Sequence, residues 1–73
     1  QIDAKTKLQE HSLKFFKVLP IYKLISNTGP RHKPLFKVAV KLKDTKFFTA
    51  KGNSKKDAEQ NAAELCLESV LKK

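Results

Sequence analysis

Between Phe36 and Lys43 the chain alternates without a slip: Phe36, Val38, Val40 and Leu42 on one parity, Lys37, Ala39, Lys41 and Lys43 on the other. A period of two over eight residues is the mark of a β-strand with one dry face and one wet face. Such a strand is not stable alone; it needs sheet partners at its edges and a cover over its apolar face. The rest of the sequence supplies both. Ile21 to Ile25 is rich in β-formers and lies between Pro20 and the breaker Asn27-Thr28-Gly29-Pro30, and Phe47 to Ala50 follows the short loop Lys43-Asp44-Thr45-Lys46. Three strands joined by a turn segment, Arg31 to Pro34, and a hairpin loop give an antiparallel meander.

The cover comes from the two ends of the chain. Ala4 to Val18 contains no Gly or Pro and follows Asp3, a good N-cap, so a helix is expected there until Pro20 stops it. At 100° per residue, Ala4, Leu8, His11, Ser12, Phe15 and Leu19 share a core-facing side, while Thr6, Gln9, Glu10, Leu13 and Lys17 form an exposed face. His11 at the edge of the core side reads as a packed or partly exposed histidine. A second helix starts at Ser54, because Ala58, Ala62, Leu65, Cys66, Ser69 and Val70 recur at helical spacing. Ser54 with Asp57 three residues later has the form of a capping box, and Gly52 provides the turn before it. The expected fold is α+β: an α-β-β-β-α two-layer sandwich with two helices on one face of a three-stranded antiparallel sheet.

At 73 residues this is one small domain, 1–73, with no room for a second. Sixteen Lys and Arg against seven acids give a net charge of +9, so a polyanion is the natural partner. Catalysis is not indicated: the lone Cys66 falls on the apolar stripe of the second helix, and the two histidines belong to unrelated elements. His11, His32 and Cys66 lack zinc spacing, and Lys51-Gly52-Asn53-Ser54-Lys55-Lys56 is not a Walker loop. No small-molecule substrate and no cofactor is expected. No apolar run reaches the ~18 residues of a membrane span. A single cysteine fits a reducing compartment, here the cytoplasm. The start Gln1-Ile2-Asp3 is not a signal peptide, and without Met it reads as a piece cut from something longer.

Lys55 and Lys56 stand out because they occupy the first turn of the second helix. That turn carries the positive end of the macrodipole and unpaired N–H groups, and each cation there costs a few tenths to ~1 kcal/mol. A helix start that tolerates this is a phosphate site.

Gly29-Pro30-x-His32-x-x-x-Phe36 followed by Gly52-x-Ser54-Lys55-Lys56-x-Ala58 resembles the double-stranded RNA-binding domain family. Asp3 to Glu10 and Ala58-Glu59-Gln60-x-Ala62-Ala63-Glu64 are similar to the C-terminal domain of bacterial ribonuclease III. The resemblance implies duplex RNA recognition by shape, largely independent of sequence. On this chain Thr6, Gln9 and Glu10 would contact one minor groove, and Pro30, His32 and Lys33 the next. Ser54, Lys55 and Lys56 would hold the phosphates between. It further implies a parent that is a metal-dependent endoribonuclease and a homodimer, with Mg2+ confined to a separate nuclease domain. Two other readings have different partners: a dsRBD-fold protein-interaction or dimerisation module, or a basic amphipathic binder of membranes or acidic proteins through Lys5, Lys7, Lys14 and Lys17. Three positions depart from the family pattern: Ala50 in place of a glycine, Glu59 in place of a third lysine, and Leu13 on the RNA face, where a polar residue is frequent. For Glu59, glutamate is common in bacterial ribonuclease III.

Overall fold

The computed structural model describes residues 3–72; Gln1 and Ile2, at the start discussed above, and Lys73 lie outside them. The elements run α1 (Ala4–Phe16), β1 (Ile21–Thr28), β2 (Leu35–Lys41), β3 (Phe48–Gly52) and α2 (Lys55–Leu71). The sheet order is β1-β2-β3, antiparallel throughout, so the alternating strand is the central one. α2 crosses β2 and β3, and α1 lies against α2. The α-β-β-β-α sandwich expected from the alternation is the fold.

Leu8, Val40, Leu42, Ala62, Ala63 and Cys66 form the buried core, with Tyr22, Phe48 and Val70 packed around it. Asp3 caps α1 by accepting the Thr6 N–H at 2.8 Å, which contributes about 1 kcal/mol. Fully burying Leu8 contributes about 1.5–3 kcal/mol. Packing therefore outweighs the cap in holding α1 in place.

The structure changes several details. α1 ends two residues early, at Phe16, because Lys17 turns left-handed (φ 63°) and its N–H bonds Leu13 O at 3.2 Å. Buried Ser12 then donates to Val18 O at 2.6 Å, so Pro20 is not what stops the helix. β1 runs three residues further than expected, since a bulge between Leu24 and Ser26 restores pairing out to Thr28. Phe15 and Leu19, expected in the core, are 60% and 58% exposed. Phe15 rims an open groove between the C-terminal ends of the helices, with its ring against His11 at 4.7 Å. In α2 the buried arc is rotated from the expected stripe: Ala63 is buried, while Leu65 and Ser69 are exposed. α2 has two neighbours, the sheet and α1, so its dry face spans two adjacent lines of residues. Ala39, assigned by parity to the wet face, is only 2% exposed. It sits in register between Lys23 and Thr49, whose longer side chains flank its methyl group.

Burial pushes the Cys66 thiol up to about 11 and the Tyr22 phenol up to about 12. Both groups release a proton more readily in the unfolded chain, so their contribution to stability is intact below about pH 9 and declines as pH rises toward 11–12. Chemical denaturation at pH 7 and pH 10.5 should show the loss. A thiol reagent at pH 8 should label Cys66 only as fast as the domain opens, with full labelling on unfolding.

Candidate nucleic-acid interface

Thr6, Gln9, Glu10 and Leu13 are exposed on α1, and their spacing of three and four residues puts them on one face. The Asp3 carboxylate that begins this helix is held below its usual range, chiefly by the hydrogen bond from the Thr6 backbone N–H.

Pro30, His32 and Lys33 are exposed in the loop between β1 and β2. The loop is drawn tight by Lys33 N–H donating to Pro30 O at 2.9 Å. Gly29 makes this possible: its φ is +90°, and a Cβ there would lie 2.8 Å from Lys33 O.

At the start of α2, Ser54 is the N-cap and its Oγ accepts the Asp57 N–H at 3.0 Å, while its carbonyl takes Ala58 N–H at 2.9 Å. The N–H groups of Lys55 and Lys56 have no partner among the described residues. Both side chains are exposed. The only acid in this turn is Asp57, and the last turn has no basic residue. Lys55 and Lys56 in the first turn and Glu68 in the last oppose the dipole of α2, and Asp57 and the C-cap Lys72 offset them in part.

The three regions are tied by contacts that the sequence did not reveal. Lys5 Nζ pairs with Glu59 Oε1 at 2.7 Å, and Lys5 N–H donates to Gln60 Oε1 at 3.3 Å, joining the start of α1 to α2. Glu59 thus has a structural partner where a third lysine would have none. Asn53 Nδ2 reaches Pro34 O at 3.4 Å, linking the approach to α2 with the β1–β2 loop. Asn61 Nδ2 donates to Lys51 O at 2.8 Å and clamps α2 on β3. Only the polar character of these residues was visible beforehand, not their partners. Gly52 has a different role from the one expected. Its φ is not in the left-handed region; it is needed because a Cβ there would lie 2.5 Å from Ala58 N. Ala50 is an ordinary strand residue opposite Val38, and the missing glycine costs nothing there.

Among the described residues no three His, Cys, Asp or Glu side chains gather as metal ligands, and no helix is long and apolar enough to cross a membrane.

The model of the double-stranded RNA binding motif matches residues 4–70, from the start of α1 almost to the end of α2. The chain belongs to this family. Among relatives of the double-stranded RNA-binding motif, ribonuclease 3 of Pelagibacter ubique is 86% identical over 73 residues, which is all of this chain and 33% of the relative. Ribonuclease 3 of Leptospira interrogans serovar Lai is 48% identical over 71 residues, 97% of this chain and 29% of that protein. The chain spans about a third of the length of these curated relatives. Among solved structures, Arabidopsis HYL1 superimposes with a TM-score of 0.79 at 38% identity, covering 94% of this chain and 97% of that one. The DRB4 dsRBD2 matches with a TM-score of 0.69 at 31% identity, covering 99% and 100%.

Proposed function

We propose that residues 1–73 act as one domain that binds double-stranded RNA by shape and serves as the non-catalytic, substrate-gripping part of a bacterial ribonuclease III. The observation that carries this reading is the start of α2, where two exposed lysines and two unpartnered N–H groups converge on a spot that helix stability alone would leave to an anion. Thr6, Gln9 and Glu10 contact 2′-hydroxyls and base edges in one minor groove. Pro30, His32 and Lys33 do so in the next. Ser54, Lys55 and Lys56 hold the phosphates between, for a footprint of ~16 base pairs. The family match and the ribonuclease 3 relatives support the assignment. Cleavage, Mg2+ and homodimerisation belong to a separate nuclease domain of the parent, which works in the cytoplasm.

Two measurements test the reading. Duplex RNA should bind at least tenfold more tightly than duplex DNA of the same sequence at ~150 mM salt, because the minor-groove contacts need A-form width and 2′-hydroxyls. Equal affinities would sink it. If roughly four to six phosphates are neutralised, log K against log salt should slope near −4 to −5, with the ~0.9 per phosphate of B-DNA as a guide. A slope shallower than about −2 would make the basic charge a matter of solubility.

A further inference from the structure

The face of the sheet turned away from the helices has a charge and aromatic pattern that duplex binding does not use. The seven acids of the chain all lie outside the three strands. The strands carry Lys23, Lys37, Lys41 and Lys51, and the register places all four on the outer side, since their neighbours Tyr22, Val38, Val40 and Ala50 pack inward. Lys37 and Lys51 stand directly opposite one another, a like-charge pair that destabilises a sheet unless an anion lies across it. Phe47 is on the same side and is 43% exposed. The Nζ of Lys41 lies 5.6 Å from its ring centroid and that of Lys23 5.9 Å, so two cations lie against a partly exposed aromatic ring. Between them Ala39 gives a low floor, its methyl group sunk beneath its neighbours.

We propose that this outer sheet face is a second nucleic-acid surface, specific for single-stranded RNA. Lysines spread over three strands neutralise a flexible backbone. An exposed aromatic ring offers a stacking platform that only an unpaired base can use. A duplex keeps its bases stacked and paired, and this face has no loop to enter a groove, so the duplex belongs to the helix side and the single strand to the sheet side. A domain of this kind holds a duplex and grips a strand that flanks or interrupts it on its opposite surface.

The 73-residue chain, labelled with 15N, is titrated with a 12-nucleotide oligouridine at about 100 mM salt, first alone and then saturated with a 16-base-pair RNA duplex. The expected amide shifts fall at Lys23, from Lys37 to Lys41 and from Phe47 to Lys51, and they persist with the duplex bound. The triple change Lys23→Ser, Lys41→Ser and Phe47→Ala should weaken oligouridine binding by about tenfold or more and duplex binding by less than about threefold. Should that variant not fold, the shift map of the unaltered chain decides. Shifts confined to the start of α2, displacement of the oligonucleotide by the duplex, or equal shifts with a polyglutamate peptide would overturn the proposal. Sheet-face shifts that grow with protein concentration alone would do so too, by pointing to a second copy of the chain.

Discussion

Replacing Lys55 and Lys56 together with alanine should weaken binding to a 16-base-pair RNA duplex by about 2–4 kcal/mol while leaving the free domain as stable as before or more so. The first figure is two charge-assisted contacts at about 1.5–3 kcal/mol each, reduced because the two backbone N–H groups remain. The second follows from position. Both side chains are exposed and make no ion pair among the described residues, so their removal breaks no packing. It relieves the positive end of a dipole, and alanine is the better helix former. Opposite signs in the two measurements are what separate a phosphate clamp from a structural pair. Calorimetric melts of the free variant beside a duplex titration decide: unchanged affinity, or a melting temperature lowered by about 5 °C or more, rejects the clamp.

Gly52→Ala should be the most destabilising small substitution near the interface. The added methyl would meet Ala58 N at 2.5 Å, Asp57 C at 2.8 Å and Ala58 Cα at 2.9 Å, all backbone atoms of the first turn of α2. No side chain can swing aside, so the helix start itself must move. Overpacking of this kind costs about 1–3 kcal/mol, and the upper end applies where backbone is in the way. In a domain of this size about 3 kcal/mol lowers the melting temperature by more than about 10 °C. Duplex affinity should also fall for the folded fraction, since Lys55 and Lys56 move with the turn. Ala50→Gly, two residues earlier in β3, should cost only about 0.5–1 kcal/mol. A normal melting temperature for Gly52→Ala would mean that α2 docks more loosely than the structure shows.

The sequence was most readable where one physical rule acted alone. Strict alternation in β2 fixed the sheet and the need for a cover, and the Asp3 and Ser54 caps were visible because a cap is a local device. It was least readable where two elements share one residue. Ala63 is buried because α2 faces both the sheet and α1, which no single helical stripe expresses. Ala39 is dry because Lys23 and Thr49 flank it from other strands. Lys17 ends α1 in a conformation that lysine rarely adopts, aided by the Leu13 carbonyl and by the chain turn that Ser12 holds. The residues proposed to meet RNA were legible as types, and all but the half-buried Ser54 are exposed. The ties between their regions, Lys5 with Glu59 and Asn53 with Pro34, join positions 54 and 19 residues apart and leave no local pattern.

The charge pattern of α2 has a consequence for the order in which the protein folds. With Lys55 and Lys56 in its first turn and Glu68 in its last, offset only by Asp57 and Lys72, an isolated α2 gains little from its own dipole, and helix nucleation in water is already unfavourable. Its alanine-rich dry face offers little to hold on to until β2 and β3 are in place to receive it. α2 is therefore expected to condense late, onto a meander whose hairpin and turns are local and quick to close. Lysines 55 and 56 would then show low φ-values, and their removal should slow unfolding more than it speeds folding. A feature kept for a ligand would thus set the last step of assembly.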